Sequence, residues 1–418
     1  MKLLWLCNMA PGAVKEKIGG KAIGGLWMDH VLTGLLAREE ITVRVLCPGK
    51  DGQSGQLEQG LSYRTFAGGP AHVARPDLIG VFREELRDFA PDVIHVWGTE
   101  FPHTLAMAEA ARAEGLSHRL VINIQGLCSF IARHYAEGLP HKIQTRNTFR
   151  DFVRRDNILG QQKKFVLRGE HEIKALRMTP HVIGRTQWDE AATAAIHPER
   201  VYHFCNETLR QSFYQGQWSY ESCRPHRIFA AGCSYSVKGF HYMLEAFAQV
   251  LKTYPDATLA VPGHSFLADD WKSRLRRGSY QKYLAELVHS HGLEDKIEFL
   301  GSMDADRMKQ AFLEANVFVL SSTIENSPNS LGEAMILGLP CVASHVGGVS
   351  SLMNHGTEGY LYQSTAPYML AHYIEKIFAM GAEAASLGQS ARTHAAHTHD
   401  PEKNLQDLLA VYTAIAQD

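Results

Sequence analysis

Short, unbroken apolar runs alternate along this chain with longer stretches in which apolar residues return every three or four positions. An apolar run without polar alternation suits a strand buried on both faces, and the period between runs is that of an amphipathic helix. On this pattern the first half predicts strands at residues 3–9, 41–47, 91–97, 120–124, 181–184 and 201–205, with helices over about 25–38, 78–89 and 101–114. The second half starts the scheme again, with strands at 227–231, 257–261, 297–300, 317–320 and 341–343 and helices over 239–254, 280–291, 304–315 and 330–337. A last helix, 401–416, has Asp400 in the N-cap position and Pro401 in its first turn, where the missing proline N–H has no intrahelical partner to lose. Alternation of this kind builds parallel sheets covered on both sides. The expected fold class is therefore α/β, two facing Rossmann-like doubly wound domains with a C-terminal helix. The domains are expected at 1–208 and 225–398, joined by a polar and aromatic linker near 210–225, with 399–418 packing back on the first. Residues 129–178 break the rhythm and read as a helical, basic insertion in the first domain.

Composition narrows the class further. At 418 residues the chain is too long for one ordinary core and suits two. With 45% hydrophobic and 21% charged residues it is globular rather than disordered. No apolar run approaches the roughly 20 residues that span a bilayer, and residues 1–9 read as a buried strand rather than a cleaved leader. The seven cysteines are scattered and include no Cys-x-x-Cys pair, which points to buried thiols in a reducing compartment and hence the cytoplasm. The formal charge of −2 divides unevenly: residues 1–205 hold 26 Lys+Arg against 22 Asp+Glu, and residues 206–418 hold 16 against 22.

Candidate chemistry is concentrated between Leu320 and Gly348. There a buried run ends at Ser321, and the polar loop Ser322-Thr-Ile-Glu325-Asn-Ser-Pro328 leads into a helix. A helix N-terminus at the carboxyl end of a strand offers free N–H groups to phosphate. Carboxylates repel phosphate, so Glu325 and Glu333 make sense there if the ligand also carries vicinal hydroxyls, which a carboxylate binds by charge-assisted hydrogen bonds. A nucleotide sugar has such a diol on each side of its diphosphate.

Glu325 and Glu333 are separated by seven residues and followed by Ala334-Met335, Gly338-Leu-Pro340 and Gly347-Gly348. This resembles the Glu-x7-Glu signature of retaining glycosyltransferases of family 4, which have the two-Rossmann-domain (GT-B) fold. The resemblance extends along the chain through Ile23-Gly24-Gly25, Asp92-Val-Ile-His95, Cys205-Asn206-Glu207, Lys238-Gly239, Phe299-Leu-Gly301 and Ala315-Asn316. It implies that Glu325 contacts the transferred sugar, Glu333 the nucleotide ribose, and Lys238 the leaving diphosphate. Met303, Ser327, Asn329, Ser330 and Leu331 complete the implied donor-binding set. Gly24 and Gly25 would let the backbone approach the diphosphate or the incoming acceptor. His95 ends a strand, either at the cleft or as a core histidine.

Three positions depart from the family pattern. Cys233 stands where the family has an arginine, leaving one cation where two are expected, and Pro328 stands where it has glycine. Gln125 occupies the place of a histidine near the reacting sugar, and glutamine cannot take a proton at neutral pH. That is compatible with a retaining transfer in which the leaving phosphate oxygen accepts the acceptor's proton. The segment Leu320–Gly348 holds no Asp-x-Asp, so no metal and no cofactor are expected, the nucleotide sugar being a co-substrate. His394, His397 and His399 lack acidic neighbours in sequence and read as a solvated connection.

Between His141 and Met178 ten Lys+Arg accompany four acids, and Arg146, Arg150 and Arg154 recur at i, i+4 with Phe149, Phe152 and Val153 beside them. Such a stretch suits an anionic membrane, an acceptor diphosphate or plain solvent. No base-stacking module is recognisable, so nucleic acid is not an expected partner. The expected function is metal-independent, retaining transfer of a sugar from a UDP- or GDP-sugar to a hydroxyl of a glycan, lipid-linked or small-molecule acceptor. The alternatives are a sugar-nucleotide epimerase or hydrolase of the same fold, and a non-catalytic sugar-nucleotide-binding protein.

Overall fold

The computed structural model describes residues 1–19, 27–58, 60–268 and 270–418. The chain divides into two compact units: Met1–Ala132, Lys164–Thr208 and His399–Asp418 form the first, and Arg133–Lys163 with Leu209–Thr398 the second.

In the first unit the described residues form an eight-stranded sheet from β1 (Lys2–Cys7), β2 (Thr42–Gly49), β3 (Ser54–Glu58), β4 (Leu61–Ala67), β5 (Val93–Trp97), β6 (Leu120–Asn123), β7 (His181–Gly184) and β8 (Val201–Phe204). The order is β3-β4-β2-β1-β5-β6-β7-β8, parallel except for the antiparallel β3–β4 hairpin. Successive residues of β1 enter opposite cores, as the two-residue strand period requires. Leu3, Trp5 and Cys7 pack with the helices Trp27–Leu36 and Pro401–Gln417, while Leu4 and Leu6 pack with Asp77–Phe89 and Pro102–Ala113. The C-terminal helix is tied to the sheet by Trp5 Nε1, which donates to the Tyr412 hydroxyl at 3.1 Å. β3 and β4 escape the apolar-run criterion: β4 alternates, with Leu61 and Tyr63 buried and Ser62 and Arg64 half-buried.

The second unit holds β9 (Arg227–Ala230), β10 (Thr258–Val261), β11 (Ile297–Phe299), β12 (Val317–Leu320), β13 (Cys341–Ser344) and β14 (Tyr360–Tyr362). They pair in parallel in the order β11-β10-β9-β12-β13-β14. This is the doubly wound order, and its direction reverses between β9 and β12, the crevice where open α/β sheets bind ligands.

Residues 133–163, expected in the first domain, belong instead to the second unit. Side-chain bonds explain it. Asp151 caps its own helix, Phe149–Arg154, and accepts the Ser279 N–H at 2.8 Å together with the Ser279 hydroxyl. Arg146 pairs with Glu286 at 2.9 Å on the same helix as Ser279, Ser279–His291. The Ser236 hydroxyl donates to the Tyr135 carbonyl. Arg150 pairs with Asp151 and Asp156, each at 3.1 Å. Two of the three arginines expected to line one helical face are thus consumed in internal ion pairs.

The three late histidines are not one solvated connection either. His394 lies in the helix Ala385–Thr398 with Glu358 at 2.9 Å, and His399 is buried, 2.8 Å from the Glu207 carbonyl; His397 remains exposed. All seven cysteines are buried and unpaired. Among the described residues no helix is long and apolar enough to cross a membrane.

Candidate active site

The loops leaving the carboxyl ends of β9 and β12 carry the two residues singled out for catalysis. After β9 the chain enters a 3₁₀ turn, Ser236–Lys238, and then the helix Phe240–Thr253. Gly239, between them, has φ +60°, and a Cβ there would run into the Ser321 carbonyl just past β12. Only glycine lets the turn close so tightly on its neighbour. Two hydrogen bonds hold the contact: Ser321 Oγ donates to the Lys238 carbonyl at 2.9 Å, and the Thr323 N–H to the Val237 carbonyl at 2.8 Å. Gly347, at φ +50°, presses on the Glu325 carbonyl in the same way, and the Gly348 N–H donates to that carbonyl at 3.1 Å. Between these clamps Lys238 Nζ lies 2.6 Å from Glu325 Oε1, which also accepts Ser322 Oγ at 2.6 Å. The Glu325 carboxylate raises the Lys238 pKa against the opposing effect of burial, so the ammonium stays charged.

The helix Asn329–Leu337 begins four residues beyond Glu325, with Pro328 as an N-cap that makes no side-chain bond. The Pro328 carbonyl accepts the amides of Leu331 and Gly332, at 3.0 and 3.3 Å. The amides of Asn329 and Ser330 have no partner among the described residues, and the helix dipole concentrates positive potential there. Leu331 is wholly buried beneath this turn, Ser327 is nearly so, and Asn329 and Ser330 are half-buried. Glu333, one turn on, is 4% exposed and gripped by both oxygens: Arg210 Nε to Oε1 at 2.5 Å and Nη2 to Oε2 at 2.6 Å. Burial pushes the Glu333 carboxyl up, and the Arg210 guanidinium pulls it back. Sequence reasoning missed Arg210, which lies in the stretch read as linker, and no local pattern connects it to a glutamate 123 positions later. Met303 follows β11 at the sheet edge, two strands from β9, half-buried against the core of the unit. Cys233 is buried, with its thiol pushed up to about 11, and supplies no charge in the arginine's place.

In the first unit, Gly24 and Gly25 lie outside the described residues. His95 is wholly buried, stacked on Trp97 at 4.2 Å between ring centroids, with Nδ1 2.6 Å from the Tyr412 hydroxyl. Burial lowers its pKa to about 3, so it is a neutral core histidine rather than a ligand contact. Gln125, beyond β6, donates to Asn123 Oδ1 at 2.9 Å and to Glu207, whose other oxygen meets Arg185 at 2.5 Å.

Glu100, another residue the motif reading passed over, follows β5 beside β1, where this sheet's order reverses. Asn8 Nδ2 donates to its Oε2 at 3.0 Å, and His103 Nε2 lies 2.8 Å from Asn8 Oδ1. Burial pushes the Glu100 carboxyl up to about 7, and the Glu172 carboxylate adds to this against Arg168. The folded state therefore holds this proton more tightly than the unfolded chain. The resulting stability is full below about 4.5 and is lost as pH rises through about 7. Glu100→Gln is expected to melt increasingly above wild type between those values, by on the order of 1–2 kcal/mol at the plateau. Parallel melting curves at all pH values would contradict the shift.

Residues 224–394 match the family model for glycosyl transferases group 1. An uncharacterized glycosyltransferase of Methanocaldococcus jannaschii is 27% identical over 150 residues, 36% of this chain and 35% of that protein. The chain spans only 35%, 40% and 45% of the length of the first three curated relatives it matches. Among solved structures, sucrose-phosphate synthase from Thermosynechococcus elongatus aligns over 99% of both chains with a TM-score of 0.71 at 17% identity. Anabaena HepE in complex with UDP-glucose aligns over 99% of this chain and 100% of its own, with a TM-score of 0.65 at 17% identity. The second unit carries the sequence match to that family, and the whole chain shares the fold of these solved structures, with two parallel-sheet α/β domains of the GT-B type.

Proposed function

We propose that this chain is a retaining glycosyltransferase of family 4 that moves a sugar from a nucleoside diphosphate sugar to an acceptor hydroxyl. The observation that carries the reading is the Lys238–Glu325 pair beside the open helix N-terminus at Asn329, inside the segment that matches the glycosyltransferase family. The donor diphosphate lies against the Asn329 and Ser330 amides and draws the Lys238 ammonium toward it, which frees Glu325 for the sugar hydroxyls. Glu333 takes the ribose diol. The anomeric carbon–oxygen bond to the diphosphate breaks, the acceptor oxygen bonds to that carbon on the same face, and its proton passes to the departing phosphate oxygen. Lys238 and the helix N-terminus stabilise the charge that develops there, so no divalent ion is needed. The UDP-glucose complex of the Anabaena neighbour supports a uridine donor.

Calorimetric titration of Glu325→Ala with UDP and with UDP-sugars tests the assignment. The variant is expected to bind UDP as wild type does and the full donor about tenfold or more weakly, the cost of one or two charge-assisted hydrogen bonds. Equal losses for the two ligands would remove Glu325 from the sugar. Transfer by the wild type is expected to survive a chelator, and abolition followed by rescue with manganese would refute metal independence.

A further inference from the structure

Five large apolar side chains stand exposed on two short helices of the second unit that pack against each other, Phe149–Arg154 and Trp271–Arg276. Phe149 is 64% exposed, Phe152 75%, Val153 63%, Trp271 67% and Leu275 43%. Single exposed hydrophobics need no explanation, but five on two helices in contact, spaced i, i+3 and i+4 on the first and i, i+4 on the second, mark an interaction surface. Both helices are locally fixed. The first is fixed by the Thr148–Asp151 capping box and the Asp151–Ser279 bond, and the second by Asp270, which accepts the amides of Lys272 and Ser273 at 3.1 Å each.

Cations outnumber acids around these side chains, Asp270 being the exposed acid that adjoins Trp271. Arg154, Arg155, Lys272 and Arg276 are exposed and have no ion-pair partner among the described residues. Lys272 leans over the Trp271 ring at 5.6 Å. The one acid within the two helices, Asp151, is buried. Arg146 and Arg150, which the sequence pattern put on this face, are instead paired internally, so the free cations are a different set.

We propose that this face docks on an anionic lipid bilayer. The aromatic and aliphatic side chains enter the boundary between headgroups and acyl chains while the four cations meet lipid phosphates. The aliphatic Val153 and Leu275 set the face apart from a base-stacking platform, which is built from aromatic rings along a basic groove. The proposal stands independently of the transferase reading, since it needs neither donor nor turnover.

Vesicle flotation of the full chain tests it, using phosphatidylcholine alone and phosphatidylcholine with about one third phosphatidylglycerol. Wild type is expected to float with the anionic vesicles at about 50 mM salt, about tenfold less at ~500 mM, and negligibly with neutral vesicles. F152S/W271S is expected to lose about tenfold or more in partitioning, and R154Q/R155Q roughly fivefold for each charge removed. All four side chains are exposed, so both variants are expected to melt as wild type does. The proposal is overturned if wild type ignores anionic vesicles at low salt, or if F152S/W271S floats as wild type does. It is also overturned if sedimentation shows self-association that F152S/W271S abolishes, which would assign the face to a second copy of the chain.

Discussion

Replacing Lys238 with alanine is expected to lower sugar-transfer turnover about 100-fold or more, while donor affinity falls by less than about tenfold. The asymmetry follows from where the charge is needed. In the unliganded protein Lys238 Nζ is already satisfied by Glu325 at 2.6 Å, so moving it to the diphosphate exchanges one ion pair for another and adds little to ground-state binding. As the bond to the sugar breaks, negative charge on the diphosphate grows. With Cys233 buried and uncharged where the family has an arginine, Lys238 and the helix N-terminus carry that load. Lys238→Gln keeps a donor for Glu325 but no charge and is expected to lose about as much turnover, which separates the charge from the positioning of Glu325. Steady-state kinetics with saturating acceptor makes the measurement. Turnover within about threefold of wild type in either variant would dismiss Lys238 as the group that stabilises the leaving diphosphate.

The second large effect is expected at the Arg210–Glu333 pair. Arg210→Ala leaves a carboxylate that is 4% exposed without its counter-ion. The cost is about 3 kcal/mol of stability, the low end for a broken buried pair, because the Arg210 side chain keeps 26% of its exposure. If Glu333 is the ribose acceptor, UDP offers that orphaned carboxylate two hydroxyl donors. UDP is then expected to raise the melting temperature of Arg210→Ala by more than it raises that of wild type. Glu333→Ala should lose UDP and UDP-sugar affinity alike, by about 10- to 100-fold, the worth of one charge-assisted hydrogen bond or more. The double variant should cost less stability than the two single changes together, since each single change strands a charge that the other removes. Equal thermal shifts with UDP in wild type and Arg210→Ala would place the ribose elsewhere.

The sequence leaves His95 between a cleft role and a core role and assigns residues 129–178 to the first domain. Both questions turn on partners far along the chain. His95 is a core residue because Tyr412, 317 positions later, brings its hydroxyl to Nδ1 and the C-terminal helix closes over the sheet. Residues 133–163 join the second unit because Asp151 reaches Ser279 and Arg146 reaches Glu286, 128 and 140 positions away. Local hydrophobic periodicity contains no information about such bonds.

By itself the sequence determined the two doubly wound halves and most of their strands to within one or two residues. A strand buried on both faces must be an uninterrupted apolar run, and its covering helices must show the 3.6-residue period. It also determined that Glu325 sits in a loop ahead of a helix with Glu333 inside it, since both lie in one short segment between a buried strand and a proline. Tertiary structure alone decided that Lys238 and Glu325, 87 positions apart, meet in an ion pair across the β9–β12 reversal. It alone decided that Arg210 occupies Glu333, and that Phe149, Phe152 and Trp271 stand exposed on two helices in contact while Arg146 and Arg150 are paired internally. The division has a physical cause. Strand and helix signals are repeated over many neighbouring residues and survive local ambiguity, whereas each ion pair or shared surface rests on two side chains whose meeting depends on how the intervening chain folds.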